Sequence, residues 1–274
     1  MKELECYREL LLRLCRNAGD EIVKIYHDSA VLDVEHKIDR SPITLADRRS
    51  HLILVAGLQQ LEGYYPVLSE ESMIPGWHQR SSWETYWLVD PLDGTKEFIG
   101  RTGEFTINIA LVSGNRPILG MIYFPLERCA YFGASGVGAH RIGDKESVKL
   151  KPRVANLDVE LIAHTSRRHL SEKLDDCLAH LEKVFAGLSR EYIGSARKFC
   201  HLAEGRADIY PRFSPCSEWD TAAGQALLEA VGGQIVDLQF RPLKYNAKES
   251  ILNPNFYAMA DGRFPWDTVL TDKF

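Results

Sequence analysis

Tyr86-Trp87-Leu88-Val89-Asp90-Pro91-Leu92-Asp93-Gly94-Thr95-Lys96-Glu97-Phe98-Ile99 is the stretch from which the rest of the chain is read. Trp87, Leu88 and Val89 form an apolar run rich in β-formers, so a buried strand is expected there. Asp90-Pro91 is expected to end it, because the residue before proline avoids helical geometry and proline cannot donate to a sheet ladder. Two carboxylates, Asp90 and Asp93, therefore leave the strand three residues apart across a proline turn. Gly94 then allows close backbone approach, and Thr95 offers a hydroxyl beside two free amides. Such a turn can hold a hard cation with its acids and a phosphate with its amides. An ordinary surface turn is also built from Asp, Pro and Gly.

Two further acidic signals favour the metal-phosphate reading. Ser69-Glu70-Glu71 follows a second apolar run, Tyr65-Pro66-Val67-Leu68, and Trp219-Asp220 opens a predicted helix late in the chain. With these in view, S-E-E at 69–71, D-P-L-D-G-T at 90–95 and W-D-T-A-A-G at 219–224 resemble the three metal motifs of the lithium-sensitive, magnesium-dependent phosphatases that include inositol monophosphatase. More narrowly, P-V-L-S-E-E, Y-W-L-V-D-P-L-D-G-T-K-E-F-I, G-E-F-T-I-N-I-A-L, K-F-C and A-E-G resemble the 3′(2′),5′-bisphosphate nucleotidase branch of that family, over nearly the whole chain.

The resemblance implies an α+β fold of layers α-β-α-β-α, as in inositol monophosphatase and the fructose-1,6-bisphosphatase-like sugar phosphatases. It implies two or more Mg2+ ions held by Glu70, Asp90, the Leu92 carbonyl, Asp93 and Asp220. Glu70 and Thr95 would orient and deprotonate a water that attacks phosphorus, with Asp47 assisting through Thr95. The substrate would meet Glu70, Leu92, Asp93, Gly94, Thr95, Ser195, Lys198, Arg212 and Asp220. Neighbours in extended chain point to opposite faces, so Glu70 and Glu71 are not expected to face the metals together, and Glu70 is the one that the motif of the resembling family marks. The expected reaction is removal of the 3′-phosphate of adenosine 3′,5′-bisphosphate to give AMP, a step linked to sulfate assimilation, with 3′-phosphoadenylyl sulfate as a further substrate. Inositol monophosphatase or sugar bisphosphatase activity is the alternative, and a non-catalytic metal- or nucleotide-binding regulator a third reading. Lys96 and the pair Lys198 and Arg212 favour a substrate with an additional phosphate. Aspartyl-phosphatases carry D-x-D-G-T, whereas the spacing here is one longer, so no phosphoenzyme is expected.

Composition agrees with a small-molecule enzyme. The 274 residues are 45% hydrophobic with a formal charge of −5, and 33 Lys and Arg are scattered among 38 Asp and Glu, without the basic stripe a nucleic-acid polymer would require. Six separated cysteines contain no C-x-x-C pair and predict neither a zinc cluster nor a disulfide framework. The acidic start, Met1-Lys2-Glu3-Leu4-Glu5, is unlike a signal peptide, and no apolar run reaches the roughly 20 residues of a membrane span, so a cytoplasmic protein is expected. Oligomeric state is not legible.

Along the chain, residues 3–27 are predicted as an amphipathic helix and Val31 to Lys37 as an edge strand. Thr44 N-caps a helix expected to run to Leu61, and Asp47 has the place of a capping-box acid as well as the catalytic role above. Met73 to Glu84 is expected to be a loop over the rim of the site, its Trp77 packed on that loop or stacked on a base. Strands Phe105 to Leu111, Ile118 to Phe124, Ala130 to Gly133 and Gly138 to Arg141 should form an antiparallel meander without chemistry of its own. From about residue 150 strands alternate with helices: strand Val159 to Ala163, helix Ser171 to Val184, strand Tyr192-Ile193, helix Ala196 to Glu204, and strand Ala207 to Phe213 ending at Pro211. Ser195 is either an N-cap or a substrate contact, and Arg212 either a surface arginine or a second-phosphate ligand. Asp220 is either a dipole complement or a metal ligand, before a helix that ends at Gly232-Gly233. Strands Gln234 to Asp237 and Phe256 to Ala260 close the chain, and Phe264 and Trp266 of the tail are expected to dock on the body. With no linker between them, 1–150 and 151–274 are taken as two lobes of one catalytic unit.

Overall fold

The computed structural model describes residues 2–28, 34–36, 42–168 and 171–270. Its helices are α1 (Lys2–Glu5), α2 (Tyr7–His27), α3 (Leu45–Leu58), α4 (Trp77–Arg80), α5 (Thr95–Ile99), α6 (Glu172–Val184), α7 (Arg197–Ala203), α8 (Ala222–Val231) and α9 (Trp266–Val269). The first strands are β1 (Val34–His36), β2 (Pro42–Thr44), β3 (Val67–Ser69), β4 (Thr85–Asp93), β5 (Thr106–Ser113), β6 (Arg116–Phe124), β7 (Cys129–Ala134), β8 (Gly138–Ile142) and β9 (Ser147–Lys149). The second half adds β10 (Leu161–Thr165), β11 (Leu188–Tyr192), β12 (Ile209–Arg212), β13 (Gln234–Asp237) and β14 (Phe256–Met259).

Strands β3 to β9 lie side by side in chain order as one sheet, antiparallel except for the parallel pair β3 and β4. The second sheet has the order β11-β10-β12-β14-β13, with β11, β10 and β12 parallel and the rest antiparallel. Helices α2 and α3 cover one face of the first sheet, α8 packs on its other face with α7 beside it, and α6 lies outside the second sheet. The layers are therefore α-β-α-β-α, as expected. Alternation explains the packing. The odd-numbered Ile107, Ile109 and Leu111 of β5 join the core beneath α2 and α3, while the even-numbered Ala110 and Val112 join the core beneath α8.

Helix α8 approaches the sheet closely because both sides are stripped of bulk. Gly120 and Gly133 are paired across β6 and β7, and a Cβ on either would meet the backbone of Ala223 or Leu227 at 2.3 to 2.7 Å. On the opposite side, a Cβ on Gly224 would stand 2.4 Å from the ring of Phe199 in α7.

Several boundaries differ from expectation. β4 does not end at Pro91: its pairing with β5 skips from Asp90 to Asp93, so proline and Leu92 sit in a bulge where no ladder bond is required. β12 likewise passes through Pro211, which pairs with Tyr257 of β14. α3 stops at Leu58, three residues early, and Gly63 takes up a left-handed conformation beyond it. Of the predicted strand 31–37, Val34 to His36 pairs with Pro42 to Thr44, and 31–33 and 37 lie outside the described residues. The predicted rim loop contains α4 and docks on the second half of the chain. Arg80 is buried and bonds Asn246, Lys248 and Glu249, with its guanidinium 4.8 Å from the Trp77 ring, so that tryptophan packs on its own loop. Trp266 is buried in the outer core with Phe185 and Phe264, as the docked tail requires. Cys15, Cys129, Cys177, Cys200 and Cys216 are buried thiols and Cys6 is exposed.

Candidate active site

The end of β4, the turn after β3, the start of α5, the approach to α7, β12 and the turn before α8 meet at a cleft of about 230 Å³. Each position follows from local sequence. The carboxylate of Asp90 accepts the Leu92 amide at 3.0 Å and so closes the bulge over Pro91, whose carbonyl takes the Ser50 hydroxyl at 2.7 Å. Gly94 then turns the chain into α5 at φ 95°, and a Cβ there would stand 2.7 Å from the Glu104 carbonyl. Glu70 lies in a turn after β3, not in the extended chain from which the opposed facing of Glu70 and Glu71 was argued, and it lines the cleft. Asp220 ends a short 3-10 turn, Glu218 to Asp220, where it caps the Ser217 amide at 2.9 Å.

Asp90, Asp93 and Asp220 converge, with one oxygen from each within 4.8 Å of the others. Asp90 is buried and the other two are half-buried at the cleft. Burial first, then repulsion from Glu70, Asp93 and Asp220, raises Asp90 well above the usual carboxylate range. Burial, then Asp93 and Glu70, pushes Asp220 up to about 8, although Arg212 and the Ser217 amide oppose the shift. Asp93 is raised by burial against the Lys198 ammonium, the Asn108 side chain and the Ala196 amide. Anions so placed repel one another until a cation neutralises them, and hard oxygen donors from three chain segments fit a divalent metal ion.

Thr95 and Asp47 also meet. The Thr95 hydroxyl lies 3.1 Å from the Asp47 carboxylate and 3.3 Å from the Leu92 carbonyl, and its single proton can serve only one of them. Asp47 is at once the capping-box acid of α3, taking the Thr44 amide at 2.7 Å and its hydroxyl at 2.5 Å. The capping and positioning readings of Asp47 are thus compatible: one oxygen caps and the other faces Thr95.

Ser195, Lys198 and Arg212 line the cleft, each in a setting the sequence did not show. Ser195 is not the N-cap of α7. It has φ 48°, and Ala196 occupies the cap position. The Lys198 ammonium folds back on the carbonyls of Ile193 at 3.2 Å and Ser195 at 2.6 Å, and so holds that turn. Arg212 is no surface arginine: it donates to Ser214 and Pro215 carbonyls and to the hydroxyls of Ser166 and Tyr210.

Strand β5 was expected to carry no chemistry, but Thr106 and Asn108 reach the Asp93 carboxylate at 3.4 and 3.5 Å. The signal was the alternation itself, which puts two polar residues on the even-numbered face one strand away from the aspartates. The Ala196 amide on Asp93 has no sequence signal, since it depends on how the halves of the chain meet.

The Inositol monophosphatase family model matches residues 3–263. The chain is 44% identical over 245 residues to the 3′(2′),5′-bisphosphate nucleotidase CysQ of Escherichia coli, covering 89% of this chain and 96% of that protein. It is 33% identical to the protein of the same name in Haemophilus influenzae, over 94% of each. The crystal structure of CysQ from Bacteroides thetaiotaomicron superimposes with a TM-score of 0.80 at 39% identity, covering 91% of this chain and 95% of that one. Shared motifs, shared layers and this span of likeness agree, and the chain belongs to the inositol monophosphatase family of phosphatases.

Proposed function

We propose that the enzyme is a 3′(2′),5′-bisphosphate nucleotidase that hydrolyses the 3′-phosphate of adenosine 3′,5′-bisphosphate to AMP and phosphate, in a route connected with sulfate assimilation in the cytoplasm. The observation that carries this reading is the 44% identity, over 89% of the chain, to a relative of that name. Glu70, Asp90, Asp93, Asp220 and the Leu92 carbonyl would hold two or more Mg2+ ions. Bound there, the ions would supply charge neutralisation for the phosphate and a water of lowered pKa.

The protein's own groups do the rest. Glu70, at the cleft wall, accepts the proton of the attacking water. The Thr95 hydroxyl, giving its proton to Asp47 at 3.1 Å, turns a lone pair outward and so orients that water. The amides of Gly94 and Thr95, at the start of α5, hold phosphate oxygens. Ser195, Lys198 and Arg212 line the opposite wall and stabilise the dianion as it transfers. The two lobes act as one catalytic unit, since the ligand set spans both.

Phosphate release from adenosine 3′,5′-bisphosphate and from inositol 1-phosphate, measured in parallel with Mg2+ and then with Li+, tests the reading. Preference for the nucleotide, lost in Li+, is expected. Preference for the inositol ester would replace the substrate and retain the metal site, and no turnover of either would leave a binding protein.

A further inference from the structure

Arg80 and Glu218 carry opposite charges into the interior, and neither lines the cleft. They are 2% and 1% exposed, and Asn246, which bonds to both, is buried with them. Arg80 comes from α4 in the first half of the chain and spends three bonds on one loop of the second half. Its Nη1 donates to Asn246 Oδ1 at 2.6 Å and to the Lys248 carbonyl at 3.2 Å, and its Nη2 donates to the Glu249 carbonyl. Asn246 Nδ2 donates in return to the Arg80 carbonyl at 2.5 Å. The Asn246 amide donates to Glu218 Oε2 at 2.8 Å, and the Glu218 amide donates to the Ile251 carbonyl at 2.9 Å. One chain of bonds therefore runs from α4, through residues 246–251, to the three-residue 3-10 turn that ends in Asp220.

Residues 243–251 belong to no helix or strand, so side-chain bonds must hold them. Asn115, in the turn between β5 and β6, adds two more by donating to the Tyr245 and Asn246 carbonyls at 2.7 and 2.9 Å. Strand β4 reaches the same place. Tyr86 stands four residues before Asp90 and on the same face of the strand, and its hydroxyl feels the charges of both Glu218 and Arg80. Arg80 Nε, Tyr86 Oη and Glu218 Oε1 are buried and have no hydrogen-bond partner among the described residues. The attraction between guanidinium and carboxylate is thus little screened, and removing either member would leave the other buried and uncompensated.

We propose that Arg80 and Glu218 are positioning residues for the metal site: joined through Asn246, they tie the two halves of the chain together outside the cleft and fix Asp220 against Asp90 and Asp93. The inference rests on the reading of the acidic cluster as a metal site. Of the three clustered aspartates, Asp90 and Asp93 sit on β4 and Asp220 comes from the second half. Its turn is so short that a displacement of Glu218 is carried directly to it.

Mn2+ is the probe, because the resonance signal of the free ion counts binding without substrate or turnover. In Arg80→Met the Mn2+ dissociation constant, and the Mg2+ concentration that supports half-maximal turnover, should rise by about tenfold to a hundredfold, the effect of removing a group that orients a metal ligand. The kcat should recover at saturating Mg2+. Arg80→Lys, which keeps the charge and can still donate to the loop carbonyls, should restore part of the affinity. Adding Glu218→Gln to Arg80→Met should weaken Mn2+ no further, since the uncompensated charge goes with its partner. Leu181→Ala, in the outer core beneath α6, is the control: it should lower the melting temperature and leave Mn2+ affinity at the wild-type value. Asn246→Gly breaks the side-chain link while tolerating the left-handed φ of 48° at that position, and it gives the same readout if Arg80→Met does not fold. Wild-type Mn2+ affinity in folded Arg80→Met, or in Asn246→Gly where the first variant does not fold, overturns the positioning role. So does a Leu181→Ala protein that weakens Mn2+ as much. A wild type that binds no Mn2+, or an Asp220→Asn protein that binds it as wild type does, removes the metal reading itself and the inference with it.

Discussion

Gly120→Ala tests whether the first sheet sets the position of Asp220. Gly120 has an ordinary backbone conformation, so alanine adds no local strain, and the perturbation is purely one of contact. Its Cβ would stand 2.3 Å from the Ala223 carbonyl oxygen and 2.8 Å from the Ala223 Cα. Unstrained non-bonded atoms sit about 3.5 Å apart, so strand and helix must separate by about 1 Å. The obstacle is backbone in a helix, which cannot rotate aside as a side chain would. Overpacking of this kind costs about 1–3 kcal/mol. The same displacement carries the start of α8, and Asp220 just before it, away from Asp90 and Asp93 on β4, whose oxygens now lie within 4.8 Å of its own. A shift of about 1 Å in a catalytic group costs roughly a hundredfold in rate. Urea unfolding reads the first effect, and the Mg2+ concentration that supports half-maximal turnover reads the second. Gly76→Ala is the control, since nothing lies within 4 Å of that Cβ, and its stability should stay within about 0.5 kcal/mol of wild type. A Gly120→Ala protein that loses stability but keeps the wild-type kcat and Mg2+ dependence would refute the argument that α8, seated on glycine, positions the ligand.

Other expectations follow from the same geometry. Asp220→Asn should abolish turnover yet raise the melting temperature of the metal-free protein, because one member of the repelling cluster of Glu70, Asp90, Asp93 and Asp220 is gone while the amide oxygen can still cap Ser217; the rise in melting temperature on adding Mg2+ should be lost. Asp220, at about 8 in the folded protein against about 3.9 unfolded, binds its proton more tightly when folded, so its contribution to metal-free stability is full below about pH 4 and lost as pH rises towards 8. Thermal melts across pH in a chelator should therefore decline over that window, and melts in saturating Mg2+ should not. Thr95→Ala should lower kcat by about a hundredfold or more with a melting temperature near wild type, and Thr95→Ser should recover most of it; equal losses in the two would point to the methyl group and its packing instead. A thiol reagent should label Cys6 rapidly in the native protein and the five buried cysteines only after unfolding.

What the sequence revealed and what it concealed divide along one physical line. Asp90 and Asp93 were legible because apolar residues, proline and glycine constrain their own neighbourhood, and the chain could be read locally. Thr44 and Asp47 were legible for the same reason, since a capping box closes over three residues. Ser195 was open between a cap and a cleft residue because its conformation is not set by its neighbours: Lys198 holds the turn from one residue beyond the helix start, and the carboxylate that draws the Ala196 amide belongs to the first half of the chain. Arg212 was open between surface and site because, although Tyr210 is two residues away on the same strand, Ser166 follows β10 and reaches Arg212 only once β10 and β12 meet in the sheet. Pro91 shows the opposite failure, a local rule applied where the sheet had already provided an exception. A bulge at Asp90 to Asp93 removes the ladder bond that proline cannot make, and the same bulge turns both carboxylates and the Leu92 carbonyl out of the strand together. The irregularity that defeated the boundary prediction is therefore the feature that brings Asp90 and Asp93 into one acidic cluster, because a regular strand would have sent them to opposite faces.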